Sequence, residues 1–349
     1  MVPVEWPIAA APEGGGPEPA RACGRARLRT ARVDFSLDPQ ARLTEQERAL
    51  MTGMLTDLVN SVADDFRALL ADAEPANDDG QELVDQLRST GLLDIPDLVR
   101  LLLSRAEEER LATAIRSARG PGKPRFLQSL VSDDDGAVAA AAMALILARG
   151  RRRDRFDGPR IIFDDLSAEV AVALVNAVAA ALRFDLAKRL PAEETDERLT
   201  SAVRVVLARH DEGNRLEARL FDLTHALDSA GRLDEKALLH ALEEGEASLF
   251  AEILARRAGI GFDDAWDYLG AGAGNLALLL RMSGVSRSLA GEIVARIADV
   301  AGSDAETEIA AFDSLGDDEV AKVRAWLRLA PEYRSAIDAL ASGNGKRTV

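Results

Sequence analysis

Three histidines recur at an interval of fifteen residues: His210, His225 and His240. An imidazole can ligate a metal, move a proton or accept a phosphoryl group, so these positions come first in a search for chemistry. On an unbroken helix fifteen residues make about four turns, which brings like positions to one side but leaves them about 22 Å apart. That spacing excludes a metal site within one helix, and Gly213 and Gly231 interrupt the path in any case. Phosphotransfer is the chemistry left open, because its acceptor is a histidine displayed on a helical bundle to an incoming receiver domain. His210, in His210-Asp211-Glu212, and His225, in Thr224-His225-Ala226-Leu227, are the candidate acceptors. Neither context carries a full phosphoacceptor motif, and no glycine-rich nucleotide pocket accompanies them.

Guanidinium groups are the second concentration of chemistry. Arg149, Arg151, Arg152, Arg153 and Arg155 fall within seven residues, broken only by Gly150 and Asp154. Such a cluster can grip phosphate or an acidic protein surface. It also suits the carboxyl end of a helix, where positive charge meets the negative end of the dipole. No series of aromatic residues accompanies it for base stacking, which argues against nucleic acid. A contact with an acidic protein through Arg151, Arg152, Arg153 and Arg155 is the favoured partner reading.

Acidic runs are common and stand where helices start: Asp133-Asp134-Asp135, Asp164-Asp165, Glu193-Glu194 and Asp317-Asp318-Glu319. Carboxylates there satisfy exposed amides and the positive end of the dipole. The run from Asp133 lacks the alternating ligands and terminal glutamate of a calcium loop. Gly270-Ala271-Gly272-Ala273-Gly274 lacks the Gly-Lys-Ser/Thr of a phosphate loop and follows no strand. No catalytic, cofactor-binding or metal-ligating residue is therefore assigned. A small-molecule enzyme remains an alternative, with a pocket expected near the 120–124 linker or the 270–274 loop.

The elements that must position these groups are helices. Of the 349 residues, 47% are hydrophobic but only 4% aromatic. Alanine, leucine and valine predominate, which predicts close helix-helix contacts. The best strand candidate, Arg160-Ile161-Ile162-Phe163, is too short to define a sheet. Thr44-Glu45-Gln46-Glu47 is a capping box. Met51, Leu55, Leu58, Val62, Phe66 and Leu69 follow at spacings of three and four, making one apolar stripe. Leu50, Met54, Leu58 and Phe66 belong either to a core or to a homodimer seam of N-terminal helices. Pro96 suits the first turn of a third helix.

A formal charge of −16 disfavours nonspecific duplex binding and favours basic partners. A lone Cys23 allows no disulfide within the chain. No run of eighteen uncharged apolar residues occurs, and Met1 to Ala20 does not read as a secretory signal. The expectation is a cytoplasmic protein with no membrane segment.

The chain divides by composition into a disordered Pro/Gly/Arg-rich arm at 1–34, holding the arginines from Arg21 to Arg32, and an N-terminal bundle at 35–119. A larger helical array at 125–341 and a frayed tail at 342–349 complete it. Glycines near 213, 231, 245, 259, 272, 284, 302 and 316 mark helix ends. Two segments repeat one pattern at an offset of 25: Ile253-Leu254 is answered by Leu278-Leu279, Gly259-Ile260 by Gly284-Val285, and Ala265 by Ala290. Each reads as a helix stopped by glycine, a turn and a second short helix, the grammar of stacked hairpins.

The fold class expected is thus all-α, an N-terminal bundle followed by irregular or HEAT-like hairpins. Leu43 to Met51, Leu238 to Gly245, Leu249-Phe250 and Ala255-Arg256-Arg257-Ala258-Gly259-Ile260 resemble an alphaproteobacterial helical family, domain-of-unknown-function family 2336. The resemblance spans about 43–330 and is strongest at 233–295. Its motifs are packing motifs and carry no catalytic residue. The function expected is noncatalytic protein-protein interaction, as a regulatory or signalling adaptor. The alternatives are histidine phosphotransfer, or a degenerate histidine-kinase-like module, through His210 or His225, and the small-molecule enzyme.

Overall fold

A computed structural model describes residues 43–70, 80–119, 125–270, 274–298 and 303–345. The expected arm at 1–34, the linker at 120–124, and Ala271 to Ala273 lie outside the described residues. Gln46–Val349 form one compact unit.

Sixteen α-helices and two 3-10 turns make up the described chain, with no strand among the described residues. The chain is all-α. Helix α1 (Glu45–Leu69) begins directly after Thr44, as the capping box predicts. It is followed by α2 (Gly80–Ser89) and α3 (Pro96–Arg119), the latter with Pro96 in its first turn. Next come α4 (Phe126–Val131) and α5 (Gly136–Arg151), then a 3-10 turn at Phe163–Asp165. Helices α6 (Ala168–Leu186) and α7 (Ala192–Leu207) lead to a second 3-10 turn at Glu212–Asn214. Beyond it lie α8 (Leu216–Ser229), α9 (Glu235–Glu243), α10 (Ala247–Ala258) and α11 (Phe262–Gly270). The last five are α12 (Asn275–Met282), α13 (Arg287–Ile297), α14 (Ala305–Ser314), α15 (Asp317–Leu327) and α16 (Pro331–Gly345). At the expected frayed tail, α16 continues through Gly345 and residues 346–349 lie outside the described chain.

Buried apolar side chains gather into two clusters that interleave along the sequence. One joins α1, α2 and the first half of α3 to α6 and α7, around Leu58, Phe66, Leu98 and Leu174. The other joins the second half of α3 to α4, α5 and α8 to α15, around Leu145, Leu223 and Phe250. Helix α3 is common to both: Leu98, Leu102 and Ala106 face the first cluster, Leu111 and Ile115 the second. Met54, Leu58 and Phe66 are spent on the first cluster, with exposures of 1%, 0% and 0%, and Leu50 packs at its edge. These residues contribute to a core within the chain.

Helix α10 is the hub of the second cluster: ten of its twelve residues are buried, and it packs on α3, α8, α9, α11 and α12. The 25-residue repeat materialises as α10–α11 and α12–α13. Gly259 and Gly284 hold φ of +68° and +64°, a region open to glycine at little cost. After each, a backbone amide closes back on the helix, Ile260 N–H to Ala255 O at 3.0 Å and Val285 N–H to Leu280 O at 3.1 Å. Arg257 then fastens the hairpins together by donating to the carbonyls of Leu233, Ser283 and Gly284.

Helix starts are capped in two ways. Asp135, Ser167, Asp234 and Ser286 cap the helices they precede, through amides two or three residues on. Four glutamates cap from elsewhere. Glu244 accepts from the amides of Arg125 and Phe126, Glu212 from Ala168, Glu235 from Ser286, and Glu308 from Gly274 and Ala277. Six carboxylates of this acidic chain thus close helix N-termini.

Candidate functional site

The arginine-rich segment ends α5 and enters a short loop, and the structure divides its arginines between the interior and the surface. Arg152, the residue that caps the end of α5, is turned inward with 6% exposure. Its Nε and Nη2 bind the Asp165 carboxylate at 2.9 and 2.6 Å, while Nη1 and Nη2 reach the carbonyls of Ala148 and Asn214, each at 2.7 Å. Arg152 therefore leaves the expected surface patch, because its charge is fully used in joining α5 to the two 3-10 turns. Arg153 is half-buried and donates to Glu109 Oε2 of α3 at 2.7 Å. Arg149, also turned inward, is paired with Glu246. Arg151 and Arg155 remain exposed.

The loop is held rigid by its own backbone. Arg153 and Pro159 form an isolated bridge, Arg160 N–H returns to Arg152 O at 2.9 Å, and Asp154 N–H donates to Gly158 O at 2.9 Å. Asp154 Oδ1 accepts from the amides of Phe156 and Gly158, both at 2.7 Å. Asp157 takes φ of +64°, the sole positive value on a non-glycine residue among the described ones; aspartate tolerates it better than most. This frame presents Phe156 at 77% exposure with the Arg155 guanidinium 4.7 Å above its ring. Along α5, Met143, Leu147 and Arg151 follow at four-residue intervals on one outward face, Leu147 being 60% exposed.

Behind the loop lies a cavity of about 380 Å³ between α3, α5 and the start of α8. Six arginines line it: Arg105, Arg116, Arg149, Arg152, Arg153 and Arg160. Glu108, Glu109, Asp157 and Glu246 are the carboxylates among them. Burial works against the charge of Arg105, but Glu217 and Glu108 outweigh it and raise its pKa. At Arg149 burial prevails and pulls the guanidinium down to about 10.

A second cleft runs between α3 and α11. Its two lobes, of about 290 and 600 Å³, share Arg100, Arg215, Glu217, Asp263 and Asp267. Partial desolvation raises the pKa of Asp263 and Asp267, one turn apart on α11. These three spaces contain no histidine, cysteine or lysine, and their facing arginines and carboxylates offer ion pairing. The expected pocket positions, the 120–124 linker and the centre of the 270–274 loop, lie outside the described residues.

The histidines are kept apart. His210 is half-buried, its Nε2 3.0 Å from Leu166 O and its ring edge-on to Phe163; a carbonyl accepts, so Nε2 carries the proton. His225 is exposed on α8 and stacked on Phe221. The Arg256 guanidinium lies 2.7 Å from its Nδ1 and can only donate, which places the proton of the neutral ring on Nε2. A protonated Nε2 has no in-plane lone pair with which to attack phosphorus. His240 is exposed and contacts the Phe126 ring. Nearby on α10 is a residue that the sequence did not mark: Glu252, 6% exposed, hydrogen bonded to Thr224 and raised by burial to about 7.

The fold and these sites define an all-helical protein with clusters of paired ionic side chains. The chain belongs to the family described as an uncharacterised protein conserved in bacteria, DUF2336, which matches residues 87–320. The match includes the 233–295 region that carries the resemblance most strongly and leaves out α1 with its capping box. No curated protein and no solved structure matches the chain. No helix of the described residues is long and apolar enough to cross a membrane.

Proposed function

We propose that the chain is a noncatalytic protein-recognition module, a regulatory or signalling adaptor of the bacterial cytoplasm. Its contact surface is the outer face of α5 with the loop at its carboxyl end. The observation that carries this reading is Phe156, held at 77% exposure beneath Arg155 on a loop fixed by its own hydrogen bonds. Exposed aromatic and arginine side chains are the groups that dominate protein interfaces. A preformed loop loses little conformational freedom on binding. Met143 and Leu147 extend the surface with apolar area, and Arg151 and Arg155 give it a preference for an acidic partner. Phosphotransfer at His225 is the weaker reading, since Arg256 engages its Nδ1 and no full phosphoacceptor motif surrounds it.

The test is affinity purification from the native cell with three full-length proteins: wild type, Phe156→Ala, and the double variant Arg151→Glu/Arg155→Glu. Arg152 stays intact in all of them. A stoichiometric partner recovered by the wild type and lost from both variants, at unchanged melting temperature, supports the surface. Equal recovery by all three overturns it.

A further inference from the structure

The arginine-lined cavity behind the loop is distinct from the surface just described, since neither Arg151 nor Arg155 lines it. Its six arginines face four lining carboxylates, and Glu217 and Asp165 behind Arg105 and Arg152 complete a balanced set of charges. Most of these arginines have partners. Arg105 is held by Glu108 and Glu217, Arg152 by Asp165, and Arg116 and Arg153 share Glu109.

Two are undersupplied. Arg149 is paired with Glu246 and feels the Glu108 carboxylate, but its buried Nε and Nη2 have no hydrogen-bond acceptor. Arg160 makes no side-chain hydrogen bond or ion pair with any described residue, although its backbone is fixed to Arg152. Buried guanidinium donors without acceptors are costly, and a tetrahedral oxyanion with several acceptor oxygens is their natural complement. A volume of about 380 Å³ is larger than a single ion needs and within the range of small-ligand sites.

We propose that this cavity binds a small phosphate-bearing anion, with Arg149 and Arg160 as the residues that grip its oxygens. Binding supplies the missing acceptors of Arg149 and links α5 to the loop beyond it. The partners of Arg105 and Arg152 stay in place, so the frame of the site exists before the ligand arrives.

The test is calorimetric titration of the full chain with sodium pyrophosphate, inorganic phosphate and sulfate, each at one fixed ionic strength. Saturable binding of pyrophosphate at submillimolar concentration, with the smaller ions competing at lower affinity, is the expected result. Arg160→Ala removes a side chain that holds nothing else, so it should keep the wild-type melting temperature and weaken binding at least tenfold. Arg149→Met is the second variant, with circular dichroism to verify folding. No saturable binding, or binding that Arg160→Ala leaves unchanged, overturns the proposal. The partner-surface variants Arg151→Glu/Arg155→Glu should bind pyrophosphate as the wild type does, so failure of one proposal is separable from failure of the other.

Discussion

Arg152 and Asp165 meet as a forked ion pair 13 residues apart in sequence, and the aspartate side chain is wholly removed from solvent. The same guanidinium also satisfies the carbonyls of Ala148 and Asn214. Removing it leaves a buried carboxylate and two carbonyls without their donor. Arg152→Met should therefore cost about 3–5 kcal/mol in urea denaturation, whereas Arg151→Glu, on the exposed face one residue earlier, should stay within about 0.5 kcal/mol of wild type. Equal effects of the two substitutions would show that the segment acts as a uniform patch.

Glu308 is completely buried and serves the first turn of α12, a helix 31 residues before it. Replacement by alanine leaves the amides of Gly274 and Ala277 unsatisfied in the interior. The expected loss is about 2 kcal/mol or more, above that of an exposed cap, because no water replaces the carboxylate. Hydrogen exchange should report the opening locally, with amides at the start of α12 losing protection first. Uniform loss across the chain would contradict the capping role.

Glu252 makes the hub helix sensitive to pH. Burial first, then the nearby Glu217, raises its pKa from 4.5 to about 7, while Thr224 and Arg256 oppose the rise. The folded state thus holds a proton between pH 4.5 and about 7 that the unfolded chain has released. Stability attributable to this group is complete below that window and declines as pH rises through it, by an amount bounded at about 3 kcal/mol. Glu252→Gln should match wild type at pH 4.5 and exceed it at pH 8. A variant less stable than wild type at pH 8 would show that the carboxylate is compensated in place.

The two repeat glycines should respond to alanine unequally. Both have positive φ, so each change costs about 1–2 kcal/mol of backbone strain. At Gly284 a new methyl meets open space; at Gly259 it comes 2.6 Å from Arg328 Nη2, which must shift and strain its bond to Gly259 O. Thermal denaturation should rank Gly259→Ala below Gly284→Ala, and the reverse order would place the repeat's weak point elsewhere.

The helices and most of their ends could be read along the chain because the causes are local. Thr44-Glu47, Pro96 and Ser167 announce helix starts within three residues, and Gly259 and Gly284 stop helices at the residue where they stand. The carboxylates that cap at a distance left no comparable mark: Glu244 and Phe126 are 118 residues apart, and only tertiary packing brings them together. The arginine cluster was visible as a density of charge, yet its division depended on Asp165 and Glu109 lying inside the curve of the chain. His225 was visible too, but the guanidinium that decides its tautomer comes from α10, 31 residues on. Arg160 was legible only as the start of a short strand candidate, and Glu252 drew no attention because it is an ordinary residue on its own stretch of sequence.

Helix α3 has a bearing on how this protein can be divided. Its first half is a wall of one apolar cluster and its second half a wall of the other. A fragment cut at the start of α8 would take α6 and α7 with their cluster but strip Leu111 and Ile115 of the helices that shield them. A fragment starting after α3 would strip the other side. The two halves of the fold are thus not separable parts, and a workable truncation must keep α1 through α15.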